Sequence, residues 1–167
     1  MRILGVDPAL TVTGYGLIES IKSRLFIIEA GVVITNSKKN IQERLDKIHR
    51  CILKLINESK PDVMVLEKLY AHYRHPVTAY LLGQARGVIC LACAKGNIPL
   101  VEYAATRVKK AIIGTGLASK YQVQRMVVNI LNLRSLPKYT DVTDALALAV
   151  AHSYISKIDR IKIDRIK

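Results

Sequence analysis

The sequence contains no tryptophan and a single phenylalanine, so its small aromatic content consists almost entirely of eight tyrosines. Acidic residues are also scarce, because 13 Asp and Glu stand against 26 Lys and Arg, for a formal net charge of +13. A balance of this sign favours a polyanionic partner, most simply nucleic acid. A membrane surface and plain solubility remain as alternatives. Half of the residues are nevertheless apolar, which excludes a disordered chain.

Signals for secretion and for membrane insertion are absent from the sequence. Its three cysteines are an odd number, and Cys90 and Cys93 lie in an apolar helical run, where we expect them in the core. No charged segment followed by an apolar run opens the chain, as a secretory signal would. The longest apolar stretch, around residues 87 to 94, is too short to span a bilayer. We therefore expect a cytoplasmic protein without a membrane partner.

At 167 residues the chain has the size of one domain, and its first part reads as strands. The segments "RILGVD", "TGYGLIES" and "RLFIIEAGVVIT" are separated by short polar or glycine-containing turns. Apolar residues from Ile41 onward recur at spacings of three and four, which predicts an amphipathic helix ending before Pro61. The apolar run in "DVMVLEKLY" then predicts a strand that is covered on both faces.

The second part of the chain alternates helices and strands. Residues 76–95 predict a buried helix, "LVEYA" a fifth strand, and Ser119 is placed to cap a further helix. An apolar helix begins at Thr140. This order predicts an α/β fold with a mixed sheet, antiparallel in strands 1 to 3 and parallel across the later helices. We assign residues 1–156 to this domain and residues 157–167, ending in "IDRIKIDRIK", to a basic tail that is helical or disordered.

Four acidic residues stand out by their positions in this basic chain. Asp7 ends the first strand and Glu67 lies near the end of the fourth, where α/β sheets form their sites. Asp141 and Asp144, in "DVTDALALAVAH", share one face at the start of the helix that begins at Thr140 and repel each other unless a positive charge lies between them. Carboxylates without a His or Cys cluster favour Mg²⁺ or Mn²⁺ over zinc. Two such ions can activate water for phosphodiester cleavage.

Each of these acids also has a structural alternative. Asp7 precedes Pro8, as turn residues often do, Glu67 has lysines nearby for an ion pair, and helix N-termini favour aspartate. These alternatives keep open a non-catalytic module that binds DNA through charge alone. A second alternative is a related nuclease for RNA or other branched DNA, because the acids specify the chemistry while the surface selects the substrate.

Basic and aromatic residues flank the predicted acidic site. Lys109 and Lys120 lie on either side of the "GTG" loop and suit contacts with a phosphate backbone, although solvated lysines are equally ordinary. Tyr70 follows Glu67 closely, where its ring could stack on an unpaired base or simply pack. His152 lacks companions for a zinc site, and we expect it at the surface or in contact with the backbone.

Several separate motifs, in order along nearly the whole chain, carry a family resemblance. They are "ILGVDPALTVTGYG", "VLEKLY", "LLGQARG", "EYAATRVKKAIIGTGLASKYQVQRMV" and "DVTDALALAVAH". Together they resemble the bacterial RuvC Holliday junction resolvases of the retroviral integrase and RNase H superfamily. Only the basic tail lies outside the resemblance.

The resemblance implies an RNase H-like fold and a homodimeric endonuclease for recombination and DNA repair. Such an enzyme uses Mg²⁺, here two ions per active site with Mn²⁺ as a substitute, and nicks two strands of like polarity symmetrically across a four-way DNA junction. A RuvAB-type branch-migration complex is the implied protein partner. For the dimer contact we expect a contribution from the apolar helix with Gly83 and Gly87, with ordinary core packing as the alternative.

The family's functional positions carry over onto individual residues of this chain. The metal-binding acids fall at Asp7, Glu67, Asp141 and Asp144, the stacking aromatic at Tyr70, and the basic residues near the cut backbone at Lys109 and Lys120, of which Lys120 is also assigned to catalysis. The sequence differs from the family pattern at two places. Ala9 replaces a glycine, and "AHYRHPVTA" replaces a stretch usually containing Lys and Asn, where we expect Arg74 to contact the junction arms.

Overall fold

The computed structural model describes residues 1–22, 24–69 and 76–164, with side chains described up to residue 157. Within these ranges the sheet has five strands in the order β3-β2-β1-β4-β5. β1 pairs antiparallel with β2 and β2 with β3, whereas β1–β4 and β4–β5 are parallel. The predicted mixed sheet is therefore confirmed. The strands are β1 (Arg2–Asp7), β2 (Val12–Ile21), β3 (Arg24–Ile34), β4 (Val63–Glu67) and β5 (Leu100–Tyr103).

Five helices connect and follow the strands in the described part of the chain. The side chain of Asn40 accepts a hydrogen bond from the Glu43 amide at the start of the first helix. Ser119 likewise caps the fourth through the Gln122 amide, as predicted. The helices are α1 (Ile41–Ser59), α2 (Pro76–Lys95), α3 (Ala105–Ile113), α4 (Lys120–Ile130) and α5 (Thr140–Asp164).

The helices form a layer on each face of the sheet. α1 and α2 cover one face, where Leu4, Ile48 and Ile52 are fully buried, and α5 with α3 and α4 covers the other, where Ile3 and Leu146 are buried. Burying one such side chain contributes about 1.5–3 kcal/mol. Because both faces are covered, the functional residues are confined to the edges of the sheet.

Helix α2 differs from its prediction in two respects. Of its residues only Ala85, Ile89, Ala92 and Cys93 are buried, so the helix is buried along one side and not all round. Its 20 residues also include an 18-residue window with a mean hydropathy of 1.4, so the helix is long and apolar enough to cross a membrane by length and composition alone. The predicted longest apolar stretch, residues 87 to 94, is only part of this longer helix. Core helices pass the same test, and α2 packs against α1.

Helix α5 extends further than the predicted domain and buries His152, which we expected at the surface or in contact with the backbone. It continues to Asp164, so most of the predicted tail is helical, and the division after residue 156 stays a prediction. His152 is only 8% exposed, and its Nδ1 lies 2.9 Å from the hydroxyl oxygen of Tyr103. The surface prediction for His152 was wrong because α5 is covered by the sheet and by neighbouring helices around this position.

Candidate active site

Asp7 and Glu67 end two neighbouring strands. β1 and β4 run parallel, with Val6 beside Leu66, so the two carboxylates leave the same edge of the sheet. Beyond Asp7 the chain turns, and the Thr13 hydroxyl donates to the carbonyl of Ala9 at 2.6 Å. Ala9 does not adopt a positive φ, so this turn does not require the glycine that the family resemblance leads us to expect at this position.

The N-terminal end of α5 lies directly against β1 and β2 because both strands present glycine to it. A Cβ atom added at Gly5 would lie 2.0 Å from the carbonyl oxygen of Ala145, and one at Gly14 would lie 2.1 Å from that of Asp141. Only glycine permits this approach. The close contact brings the first turns of α5, with Asp141 and Asp144, to the edge at which Asp7 ends β1.

The electrostatics of Asp7 show how tightly the acids are grouped. Burial, and then the charges of Asp144 and Asp141, raise the pKa of Asp7 from its ordinary 3.8 to about 7, against an opposing effect of Lys120. Burial and the charge of Asp144 also raise the pKa of Glu67, whereas Lys109 and Lys120 act to lower it. All four predicted acids therefore contribute to one electrostatic cluster, in which negative charge is under-compensated.

Both carboxylate oxygens of Asp144 are held by α4. The Lys120 ammonium nitrogen lies 2.5 Å from Oδ2 of Asp144, and Nε2 of Gln124 donates to Oδ1 at 3.4 Å. Burial opposes the charge on Lys120, but the hydrogen bond and charge of Asp144 raise the pKa of Lys120 overall. Gln124 was not predicted from the sequence. The one sequence feature that could have indicated Gln124 is its position four residues after Lys120, on the same face of the helix.

A cavity of about 330 Å³ lies in front of the acids. Asp7, Glu67 and Asp144 line it, and Lys109 and Lys120 stand beside them. Asp141 does not line this cavity and acts through its charge. A larger cavity of about 450 Å³ lies between β3 and α1 on the other face of the sheet, but none of the four acids lines it. The residues that line a cavity, and not its volume, therefore identify the site.

The donors at the site suit a hard divalent cation. They are carboxylate oxygens, the ligands that Mg²⁺ and Mn²⁺ prefer, and the raised pKa of Asp7 marks an anionic cluster that a cation would stabilise. As the side chains stand, no three His, Cys, Asp or Glu residues within the described ranges are grouped closely enough to hold a metal. The chemistry of the donors fits a metal, while Asp144 is paired with the Lys120 ammonium.

Two of the predicted nucleic-acid contacts, Tyr70 and Arg74, lie outside the described residues. The other two are placed by the structure. Lys109 is half-buried on α3 and Lys120 is exposed at the start of α4, and both line the acidic cavity. The structure thus brings together all of the predicted site residues that it describes.

Acidic residues at adjacent strand ends, with lysines around them, on a five-stranded mixed sheet define an RNase H-like nuclease. A sequence model of the family described as crossover junction endodeoxyribonuclease RuvC matches residues 3–152. The chain belongs to this family. It is a nuclease that resolves Holliday junctions, and the family is one of metal-dependent nucleases.

Individual relatives cover nearly the full length of the chain. Crossover junction endodeoxyribonuclease RuvC of Rhodopirellula baltica is 44% identical over 92% of this chain and 86% of its own length. The Halothermothrix orenii protein of the same name is 43% identical over 96% of both chains.

Solved structures agree with the sequence comparison. Thermus thermophilus RuvC in complex with Holliday junction substrate superposes with a TM-score of 0.89 at 29% identity, covering 95% of this chain and 96% of that one. The yeast mitochondrial Holliday junction resolvase shares the fold at 14% identity, with a TM-score of 0.63 over 89% of this chain and 77% of that one.

Proposed function

We propose that Asp7, Glu67, Asp141 and Asp144 bind Mg²⁺, two ions per active site, for hydrolysis of junction phosphodiesters, and that Mn²⁺ can substitute. The observation that carries this proposal is the shared electrostatics of the acids, since burial and neighbouring carboxylates raise the pKa of Asp7 to about 7. A cluster of this kind is costly to ionise without a cation. When bound, the metal would supply an activated water and charge stabilisation at the scissile phosphate.

The residues around the acids have separable roles in this proposal. Lys120 pairs with Asp144 and is placed at the cavity to contact the phosphate at which charge develops, which makes it a catalytic residue. Lys109 holds the DNA backbone beside the cut. Tyr70 stacks on a base near the crossover and Arg74 contacts the arms of the junction, on the strength of the family resemblance at these positions.

Cleavage of a labelled four-way DNA junction tests the metal proposal. We expect symmetric nicks with Mg²⁺ or Mn²⁺, none with EDTA, and none with Asp7→Asn, which should still bind the junction. Asp46→Asn is the control, because Asp46 pairs with Arg50 on the surface of α1. Cleavage that survives both EDTA and Asp7→Asn would refute the proposed site. A panel of flap, hybrid and duplex substrates measures how strongly the surface selects junctions.

We also propose that the chain acts as a homodimer through the exposed side of α2. Val77 and Tyr80 are 70% and 66% exposed there, and Leu91 extends the apolar surface by three turns. Among the residues that the structure describes, none has an atom within 4 Å of a Cβ built at Gly83 or Gly87, so this side is open to another helix. Two symmetric cuts need two sites at a fixed separation, which a two-fold axis through α2 would provide.

The dimer proposal predicts that bulk or charge on this side of α2 separates the subunits without unfolding them. Gly87→Leu and Leu91→Lys should give a monomer by analytical ultracentrifugation, with single nicks replacing paired cuts. Leu136→Lys is the control, since Leu136 is an exposed leucine outside the helix. A dimer that persists in both variants would exclude this surface.

Three further assignments rest on the family and the chain's composition. We propose a RuvAB-type branch-migration complex as partner, to be tested by co-purification, and the cytoplasm as location, to be tested by fractionation. We also propose that residues 1–156 form the nuclease domain and residues 157–167 a basic tail. The family match ending at residue 152 supports this division. A chain truncated after Ser156 should retain junction cleavage.

A further inference from the structure

Arg86 is an unusual residue in its helix. The sequence of α2 contains only one other charged residue, Lys95, and the Arg86 side chain is 11% exposed. An arginine buried this far loses hydration and is stable only where its donors find acceptors. The contacts of the Arg86 guanidinium therefore indicate its role.

The guanidinium of Arg86 joins the ends of two strands. Nη1 donates to the backbone carbonyl of Glu67 at 2.8 Å, and Nη2 forms an ion pair and hydrogen bond with Oε1 of Glu102. Glu67 is the last residue of β4, and Glu102 lies on β5 in register with Leu66. A planar guanidinium with donors in a fixed fork suits two acceptors on adjacent strands.

The peptide that follows Glu67 is held on its other side as well. The amide of Lys68 donates to the carbonyl of Tyr103 at 2.8 Å. With the Glu67 carbonyl bound to Arg86, both polar atoms of this peptide unit are fixed, and the direction in which the Glu67 side chain leaves the strand is fixed with them.

We propose that Arg86 is a positioning residue for the metal site, which orients Glu67 by holding its backbone carbonyl. This inference rests on the proposed function, because it takes Glu67 as a metal ligand. Arg86 acts through geometry: the cations that act on the Glu67 carboxylate by charge are Lys109 and Lys120. Losing the Arg86 bond leaves the peptide that follows Glu67 held only through its amide, so its carbonyl can tilt and the ligand can move away from Asp7.

Direct measurement of Mn²⁺ binding tests this role without depending on turnover. We expect Arg86→Met to weaken Mn²⁺ affinity, measured by calorimetry or by the electron paramagnetic resonance of free Mn²⁺, by about 10-fold or more. Cleavage at limiting Mn²⁺ should fall in parallel and recover in part as Mn²⁺ is raised. The junction affinity of Arg86→Met, measured in EDTA, should stay within about twofold of that of the unmodified protein, because the Arg86 guanidinium contacts the ends of β4 and β5.

Arg2 provides a matched control. Its Nη1 donates to the carbonyl of Ser59 at 2.9 Å and its Nε pairs with Glu19 at 3.4 Å, which is the same combination of contacts at the opposite edge of the sheet. Arg2→Met should leave Mn²⁺ affinity unchanged. Arg86→Lys, with a single ammonium for two acceptors, should bind Mn²⁺ with intermediate affinity.

The outcomes separate this inference from the proposed metal site. Mn²⁺ binding that is lost in Asp7→Asn but unchanged in Arg86→Met overturns the positioning role alone. Absence of saturable Mn²⁺ binding in the unmodified protein overturns both. If thermal unfolding shows that Arg86→Met does not fold, Glu102→Ala removes the partner that orients Arg86. A weaker Mn²⁺ affinity in that variant supports the inference, and an unchanged one overturns it.

Discussion

The ammonium nitrogen of Lys120 lies 2.5 Å from Oδ2 of Asp144, and this contact connects two helices at the acidic cluster. Lys120 is the first residue of α4, while Asp144 lies in the second turn of α5. The lysine is thereby the cation that partly offsets the repulsion among the acids, and it opposes the rise in the pKa of Asp7. The stability and the activity of the protein should both depend on this balance.

Asp7→Asn should stabilise the metal-free protein at high pH. Folding raises the pKa of Asp7 from 3.8 to about 7. At a pH between these two values, the Asp7 carboxyl is therefore protonated in the folded state and ionised in the unfolded state. The contribution of Asp7 to stability is fully present below about pH 4 and is lost as pH rises to 7. This difference in pKa corresponds to at most roughly 4 kcal/mol.

Urea unfolding in EDTA at pH 4.5 and pH 8 measures this effect. The free-energy difference between Asp7→Asn and the unmodified protein should shift in favour of the variant as pH rises. Asp46→Asn, in an exposed pair, should show no such trend. A difference that does not change with pH would mean that the Asp7 carboxyl is not stabilised in its protonated form.

Lys120→Met should abolish most cleavage while the protein stays folded. The variant loses the cation beside Asp144 and the donor that lines the cavity, and removing one preorganised donor at such a site costs about 100-fold or more in rate. Single-turnover cleavage at saturating junction measures the chemical step. Lys110→Met, an exposed lysine of α3 that does not line the cavity, is the control. Equal losses in both variants would indicate a general effect of charge on DNA binding.

The placement of the acids could be predicted because it follows from topology. A strand that ends in Asp7 and a parallel neighbour that ends in Glu67 must present both residues at one edge. The periodic apolar residues of α1 and the apolar run after Thr140 identify those two helices. Gly5 and Gly14 are visible in the sequence, but their purpose is clear only when α5 is seen against them.

Other parts of the structure lacked a sequence signal. α3 (Ala105–Ile113) was not distinguished as a separate helix, since it has nine residues, no side-chain cap at Ala104 and only Val108 and Ile112 buried. Gln124 and Arg86 carry no chemical signature of their own, because each matters through a partner distant in sequence. Local patterns cannot identify a contact between elements that only tertiary packing brings together.

Gln124→Leu should lower activity through Asp144. Gln124 is 7% exposed, and its amide is the second group that fixes the Asp144 carboxylate. A leucine of similar volume keeps the packing but leaves Oδ1 without this donor, so we expect about a 10-fold loss of cleavage, within the range seen when partners of metal ligands are removed. Gln122→Ala controls for α4 itself, since it breaks the capping box at about 1 kcal/mol without touching Asp144. A normal rate in Gln124→Leu would show that Lys120 alone suffices.

Gly14→Ala should damage the site from β2, which packs directly against the start of α5. The added methyl group would lie 2.1 Å from the carbonyl oxygen and 2.8 Å from Cβ of Asp141, and because the nearest atom belongs to the backbone, α5 itself must shift. We expect a lower melting temperature. We also expect cleavage to fall by more than the folded fraction falls at the assay temperature, because Asp141 and Asp144 move with the helix. Circular dichroism measures the folded fraction, and cleavage per folded molecule measures the displacement. Full activity per folded molecule would mean that α5 can shift without disturbing the acids.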